Sequence, residues 1–331
     1  MPLGTDHVTL PKVSSAARTR SNSAFIRELW NDEIIATYKS NYVMVPLVVT
    51  MNHNKKKGDT VHVPRPVRGD ASVKAAETQV TLIANQEGQS SYIIDQHWEY
   101  SRLIEDIVSV QADDSIRPFY TDDAGYALAR RVDNFLHAQG AKFAGGDAAP
   151  LVEGSNYSKA FTGTSANGAL VPWSGTANGG AGNASTLTDE GIRLMVQALD
   201  DDDVPSMGRC AVTSPVEKRK MLGIDRHVVF DQIGEAGSGN AMRTGYIAPL
   251  YGVDFYLSTN CATVLGGDGT TVNKAALFFQ KDSLLLIEQM TPRSQTQYKQ
   301  EYLSDLFTAD ILFGGGVLRP EGGIAYVVPN A

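Results

Sequence analysis

The chain has 331 residues, of which 42% are hydrophobic, and its formal net charge at pH 7 is −8. This length favours two domains or one elaborated domain, with enough apolar residues for real cores. The negative charge argues against a protein that grips nucleic acid over its whole surface. The two cysteines, Cys210 and Cys261, are too few for a disulfide framework or a zinc cluster. Because no apolar run is long enough to cross a bilayer and no signal peptide is recognisable, we expect a soluble protein made in a cytoplasm.

The first part of the chain predicts an arm followed by a helix. Residues 1–23 are rich in Ser, Thr and Arg and show little periodicity, so they need a docking surface to become ordered. From Ser23 onward, apolar side chains recur at helical spacing, among them Phe25, Leu29 and Trp30.

The stretch "NHNKKKGDTVHVPRPVRGD", residues 52–70, predicts one strand of an unsupported hairpin. Thr60–Val63 alternate as a strand does, and Val80–Ile83 are a candidate second strand. From His53 to Lys74 there are six basic and two acidic residues, a local net charge of +4; the basic ones are Lys55, Lys56, Lys57, Arg65, Arg68 and Lys74. Since a lone hairpin is marginal in water, we expect it to lie along another subunit or to be floppy in the monomer.

The remainder of the chain predicts a mixture of helices and strands. A long amphipathic helix ends near Gly140, which is placed as a C-cap. Residues 140–185 are rich in Gly, Ala, Ser and Asn and predict a long surface loop with a few short strands. From Thr188 the pattern is compact α/β, including a helix with Ser214 as N-cap and Glu217 three residues later. The last fifty residues predict strands.

No motif in the sequence carries chemistry, so we predict no catalytic, cofactor-binding or metal-binding residue. The six histidines form no metal-ligand pattern, and the pieces "GEAGSGN" and "LGGDGTT" lack the order of a phosphate-binding loop. The run Asp200–Asp203 lacks the alternating ligands of a calcium loop and predicts a solvated helix end. A structural, self-associating protein accounts for these features together. A small-molecule hydrolase with an unrecognised site is the alternative from another class.

Three segments in order resemble the major capsid proteins of tailed bacteriophages with the HK97 fold, and are most similar to T7-like podovirus coats, marine ones included. "SSYIIDQHWEYSRLIEDI" followed by "SIRPFYTDDAGYALARRVDNFLHAQGA" looks like the family's strand leading into its long spine helix. "GGGVLRPEGGIAYVV" looks like the glycine-rich C-terminal segment of T7-like coats. The resemblance covers nearly the whole chain after the arm and implies an α+β, HK97-like fold.

The resemblance implies a division of the chain into domains. Residues 1–50 would be the N-terminal arm and 51–90 the extended loop, the hairpin that in this family reaches over a neighbouring subunit. Residues 91–187 and 285–331 would form the peripheral domain with the spine helix, and 188–284 the axial domain around the five- and six-fold axes. The implied contacts between subunits are the six basic residues of the hairpin, with Phe25, Leu29, Trp30, Arg319 and Glu321.

The resemblance also implies partners and a location. The chain would self-assemble into pentamers and hexamers of an icosahedral virion shell, with a scaffolding protein during assembly and a portal protein at one vertex. Packaged double-stranded DNA would lie on the inner face without sequence-specific contacts, and a decoration protein is a further candidate partner. Cross-linking through Lys74 or Lys55–Lys57 is a minor hypothesis. An encapsulin-type compartment, which uses the same fold, is the alternative function.

Overall fold

The computed structural model describes most of the chain after residue 42. The described residues are 34–35, 37–38, 42–53, 58–66, 71, 73–74, 76–77, 79, 87–106, 117–144, 160–166, 168–173, 184–224, 249–265 and 270–330. Outside them lie most of the predicted insertion 140–185 and the predicted contact residues Phe25, Leu29, Trp30, Lys55, Lys56, Lys57 and Arg68. No helix in the described part of the chain is long and apolar enough to cross a membrane.

The chain divides into two compact units, each built from segments that are distant in sequence. The first comprises Met1–Tyr42, His97–Val132 and Met290–Leu312, and the second comprises Val43–Gln96, Asp133–Gln289 and Phe313–Ala331. The predicted peripheral domain also combined two distant segments, 91–187 and 285–331, but its boundaries do not coincide with those of either unit, and the division into peripheral and axial domains stays a prediction.

The predicted long helix is confirmed as α1 (Arg117–Gly140), whose 24 residues span about 36 Å. Its buried residues include Ala124, Leu128 and Val132, which recur every four positions and form one apolar stripe. Gly140 is the last residue of the helix, and the chain continues directly into a 3₁₀ turn. The prediction of a C-cap is therefore wrong: Gly140 is needed because an added Cβ would overlap the Leu277 side chain.

A four-stranded sheet has the order β1-β11-β12-β4, formed by β1 (Val49–Asn52), β4 (Gln96–Glu105), β11 (Leu284–Lys299) and β12 (Ser304–Val317). β1 runs parallel to β11. Within the first unit, β12 buries Phe307, Ala309 and Ile311 in alternation, so one face of the strand is apolar. On β4, the Tyr100 hydroxyl donates to the Asp123 carboxylate of α1. This contact joins strand and helix within that unit.

The second unit contains a seven-stranded sheet. Its order is β6-β5-β13-β10-β7-β8, with β9 paired to β10. The strands are β5 (Ala160–Thr164), β6 (Leu170–Pro172), β7 (Arg209–Thr213), β8 (Asp254–Leu257), β9 (Thr263–Leu265), β10 (Val272–Gln280) and β13 (Gly323–Pro329). The sheet thus combines strands from the predicted axial segment with β13 from the C-terminal segment and with β5 and β6 from the glycine-rich stretch.

Two helices of the second unit begin at the residues that the sequence indicates. α2 (Asp189–Asp201) has Thr188 as N-cap, and its Ile192, Met195 and Leu199 pack into one core with strands of the seven-stranded sheet. α3 (Pro215–Met221) has Ser214 as N-cap, whose hydroxyl accepts from the Glu217 amide. These caps satisfy backbone donors that would otherwise lack partners at the helix start.

A separate two-stranded sheet completes the second unit. It consists of β2 (Thr60–Pro66) and β3 (Glu87–Ile93), which are antiparallel. The strand predicted over Thr60–Val63 is therefore present and extends through both prolines.

Candidate assembly surfaces

The hairpin of β2 and β3 has almost no core of its own. Among the side chains described in the two strands, Tyr92 alone is buried, and its neighbour Ile93 is 60% exposed. The predicted second strand, Val80–Ile83, lies outside the described residues. The strand that pairs with β2 is β3, which begins later in the chain, at Glu87. Two strands with one buried side chain are marginal alone, which agrees with the expectation of an unsupported hairpin.

The root of the hairpin is fixed to the rest of the second unit. The Tyr92 hydroxyl donates to the Val317 carbonyl at 2.9 Å. The Tyr92 ring lies so close to Gly316 that an added Cβ there would be 3.1 Å from it. The Gln289 side-chain amide donates to the Gly58 carbonyl at 2.9 Å, and the Ile94 amide closes the root itself by donating to the Asp59 carbonyl at 2.7 Å. A fixed root and an exposed body are what a projecting hairpin needs.

The basic residues of the hairpin fall at opposite ends of β2 in sequence. Lys55–Lys57 immediately precede the root, whereas Arg65 lies near the distal end of β2, and Arg68 and Lys74 follow it. In sequence, most of strand β2 therefore separates the two groups. Among the side chains of these residues, the structure describes that of Lys74, which is exposed.

The "LRPE" segment is clamped against a turn of the second unit. The amides of Leu318 and Arg319 donate to the Ser283 carbonyl at 2.8 and 3.2 Å. The Ser283 hydroxyl in turn donates to the Gly322 carbonyl at 2.7 Å. Between these anchors, Arg319 and Glu321 are both exposed. The two predicted contact residues are therefore presented on one rigid turn.

A cleft of about 850 Å³ lies between this turn, the hairpin and the end of α2. Val63 and Pro64 line it from the hairpin, and Arg319 and Glu321 line it from the "LRPE" turn. Asp202 and Asp203 line it from the segment after α2. We call this feature the acidic cleft, because carboxylates make up three of the four charged residues that the structure describes on its wall, namely Asp202, Asp203 and Glu321.

The acidic turn that follows α2 is held by a buried arginine. The Arg209 side chain is 3% exposed and donates to the Asp200 carboxylate at 2.6 Å. It also donates to the carbonyls of Val204 and Pro205. Carboxylates are unfavourable at a helix C-terminus, and Arg209 offsets this cost. The sequence prediction of a merely solvated helix end missed this support, because Arg209 comes only after the turn.

A compact basic cluster on α3 was also missed by the sequence predictions. Lys218, Arg219 and Lys220 follow one another there and are exposed or half-buried. The neighbouring Glu217 is buried, and its carboxylate accepts from the Leu187 amide at 2.9 Å. Burial raises the pKa of Glu217, against the opposing effects of the Leu187 amide and of Lys220. The signal in the sequence was the run "KRK" in a short helix.

A buried carboxylate of α1 holds the segment that leads into β1. Asp133 is fully buried and accepts from the amides of Val43 and Met44 at 3.0 and 3.2 Å. Burial raises its pKa from 3.8 to about 6, although the two amides act in the opposite direction. Desolvation of the charged form outweighs both hydrogen bonds.

The described residues offer no activated nucleophile or metal centre. Burial raises the pKa of the Cys210 and Cys261 thiols to about 12, the reverse of what a reactive thiolate requires. His137 is fully buried, and desolvation lowers its pKa to about 3. Among the described residues, no group of three or more His, Cys, Asp or Glu side chains could hold a metal ion.

Comparison by sequence finds no matching family model and no matching curated protein. Comparison by structure finds 194 matching chains. One, from Mycobacterium phage Che8, is 22% identical with a TM-score of 0.62, and the match covers 86% of this chain and 90% of that one.

Two cyanophage capsids extend this likeness. The capsid of cyanophage P-SCSP1u is 19% identical with a TM-score of 0.63, and the match covers 86% of this chain and 87% of that one. The capsid of cyanophage Pam1 is 11% identical with a TM-score of 0.67, and the match covers 89% and 92%. These matches span both compact units. The chain therefore has the HK97-like fold of bacteriophage capsid proteins.

Proposed function

We propose that the chain is the major capsid protein of a tailed phage, the subunit that assembles into the icosahedral shell of the virion. The observation that carries the proposal is the shared fold, which covers 86–89% of this chain in the comparisons above. The exposed hairpin supports it, because a two-stranded arm with one buried side chain gains most of its stability by lying on another subunit.

The two sheets have distinct roles in this proposal. α1 and the four-stranded sheet belong to the peripheral part of the shell, and the seven-stranded sheet with α2 and α3 belongs to the axial part. Arm residues Phe25, Leu29 and Trp30 would bury apolar surface on a neighbour at about 25 cal/mol per Å². The charged residues of the hairpin would set register, since exposed ion pairs contribute only about 0–1 kcal/mol each. The chain acts as a structural protein and not as an enzyme.

The partners follow from the same proposal. Copies of the chain form pentamers and hexamers with a scaffolding protein during assembly and a portal at one vertex, and the closed shell encloses double-stranded DNA. The net charge of −8 suits that content, because a surface that does not bind phosphates tightly lets the packaged DNA move. We also propose that the chain is most similar to T7-like coats, that it is synthesised in a bacterial host and that a decoration protein binds the shell.

Negative-stain electron microscopy of the purified chain, expressed alone and with an adjacent scaffold gene, tests the proposal. We expect closed shells or rings of five and six. A chain that stays monomeric under both conditions at high concentration would contradict it. Nucleic acid inside shells that are purified from infected cells would identify a virion. An enzyme that co-purifies with the shells would instead identify an encapsulin-type compartment.

A further inference from the structure

The basic cluster of α3 presents three cations on the exposed side of a short helix. Successive residues of a helix are rotated by about 100° around its axis. Glu217 and Met221, one turn apart, are buried and define the side of α3 that faces the core. Arg219 lies opposite them and is exposed, and Lys218 and Lys220 lie on either side of it and are half-buried. The three cationic groups therefore spread outward from the protein and can reach separate negative charges.

The charge of the basic cluster is not neutralised within the described part of the chain. There, none of the three cations forms an ion pair or a side-chain hydrogen bond. The carboxylate that precedes them in the sequence, Glu217, is turned into the core, where it accepts from the Leu187 amide at 2.9 Å. Its position leaves the outer side of α3 to the cations.

The helix holds the basic cluster in a fixed position. At its start, the Ser214 hydroxyl accepts from the Glu217 amide. At its end, the amides of Leu222 and Gly223 donate to the carbonyls of Lys218 and Lys220 at 3.1 and 3.0 Å. Because the backbone is already ordered, a partner has to immobilise only the ends of three long side chains, which limits the entropic cost of binding.

The surroundings of the basic cluster indicate what kind of partner it fits. Large apolar side chains that are exposed in the second unit, such as Tyr251, Tyr256 and Leu257, lie on other segments, and none belongs to residues 214–224. Protein–protein interfaces are anchored by aromatic and apolar side chains at their centre. Contacts with the backbone of nucleic acid are instead made by Lys and Arg. Three cations without an exposed apolar anchor therefore fit phosphates better than they fit the surface of a protein.

We propose that Lys218, Arg219 and Lys220 contact the phosphate backbone of the double-stranded DNA inside the shell, which rests on the proposed function as a shell that encloses DNA. The contact reads no sequence, because every nucleotide offers the same phosphate. It is also local, since the chain as a whole has a net charge of −8. A few phosphate contacts in each subunit, repeated over the shell, hold the DNA beside the protein without gripping it over the whole surface.

Binding of the full chain to a short DNA duplex of mixed sequence, measured by fluorescence anisotropy at several salt concentrations, tests the contact. The variant carries Lys218→Gln, Arg219→Gln and Lys220→Gln. Each phosphate contact adds about 0.9 to the slope of log affinity against log salt, so the slope of the variant should be shallower by about 2.7. A fourfold rise in salt should then weaken the wild type about 40-fold more than the variant.

Two further sets of substitutions separate the cluster from general charge and from helix stability. The control set removes three exposed cations from other elements: Arg130→Gln, Lys281→Gln and Arg319→Gln. We expect it to keep the slope of the wild type. The set Lys218→Arg, Arg219→Lys and Lys220→Arg keeps the charge and should also keep the slope. Cations that only stabilised the end of α3 would shift the thermal unfolding midpoint and leave the slope unchanged.

Two measurements keep the test valid if the triple variant does not fold. Arg219→Gln alone removes the exposed member of the cluster and should make the slope shallower by about 0.9. Acetylation of lysines in the wild type, followed by mass spectrometry, needs no substitution. Saturating duplex should slow acetylation of Lys218 and Lys220 severalfold and leave that of the exposed Lys281 unchanged.

The outcomes bear separately on the DNA contact and on the shell function. Folded Gln variants with the slope of the wild type, a control set that flattens the slope equally, or lysines that the duplex does not protect would each overturn the contact. If the cluster binds polyglutamate more tightly than a duplex of equal charge, it serves an acidic protein, which also overturns the contact. These results leave the shell function standing when the same protein forms shells in electron microscopy. A chain that forms neither shells nor rings overturns the proposed function and the DNA contact together.

Discussion

Replacing Asp133 by Asn should remove a pH-dependent cost from the stability of the subunit. The Asp133 carboxylate is fully buried on α1, and its two partners are the amides of Val43 and Met44. Asn has no charge to bury, but it keeps only one of the two oxygens that accept these bonds, so one of the two amides loses its partner at every pH. The variant should therefore lose the titration.

The magnitude follows from the raised pKa. A rise from 3.8 in the unfolded chain to about 6 in the folded one corresponds to about 3 kcal/mol. Between these two values the folded state of the wild type holds a proton that the unfolded state has lost, so its stability falls as pH rises from about 4 to 6. Above pH 6 the cost of the buried charge is constant. The Asp133→Asn variant should gain about 3 kcal/mol relative to the wild type between pH 4 and pH 7.

Urea unfolding of dilute, unassembled protein at pH 4, 5, 6 and 7 measures this difference. Asp201→Asn, which removes an exposed carboxylate at the end of α2, is the matched control for loss of one charge. If the free energies of unfolding of the Asp133→Asn variant and the wild type differ by the same amount at every pH, Asp133 does not carry the assigned titration. An NMR titration of the Asp133 carboxyl gives the pKa directly.

Three further substitutions test individual contacts by thermal or urea unfolding. Arg209→Ala should cost about 2–3 kcal/mol, because it leaves a carboxylate and two carbonyls without their buried donor. Gly140→Ala should cost about 1–3 kcal/mol despite the better helix propensity of Ala, because the new methyl group overlaps Leu277. Tyr92→Phe should cost about 1 kcal/mol and speed hydrogen exchange at the hairpin root, because the bond to the Val317 carbonyl is lost.

Matched controls separate these effects from general damage. Gly191→Ala places a methyl group in α2 at a site with looser neighbours, so it should cost less than the change at Gly140. Tyr302→Phe removes a hydroxyl from a tyrosine that is 64% exposed and should be neutral. If Arg209→Lys is as stable as the wild type, the forked geometry of the arginine is not what holds the acidic turn.

The local elements of this fold were predictable because their signals are local. The stripe of α1, the N-cap Ser214 and the alternation in Thr60–Val63 each depend on residues within one or two turns. Gly140 shows the limit of such signals. The same glycine fits a cap or a close approach, and only the position of Leu277, more than a hundred residues away, decides between them.

The membership of the sheets could not be read from neighbouring residues. β13 pairs with β10, and β5 then pairs with β13, so strands from three distant segments form one core. A strand's periodicity says which face it buries and nothing about its partner. The support of the acidic turn was unpredictable for the same reason, because Arg209, which holds the turn, follows the run Asp200–Asp203 in the sequence. The acidic cleft likewise consists of residues from five separate stretches.

The two prolines of β2 affect whether the chain aggregates before it assembles. Pro64 and Pro66 occupy alternate positions and pair with Gln89 and Glu87. Proline has no amide hydrogen, and in strands it is tolerated where that hydrogen would point away from the partner strand. Along this edge of β2 the alternate positions are Thr60, His62, Pro64 and Pro66. Two of the four therefore have no amide hydrogen to donate to an incoming strand. The prolines thereby prevent the edges of projecting hairpins from pairing with one another and aggregating at high concentration.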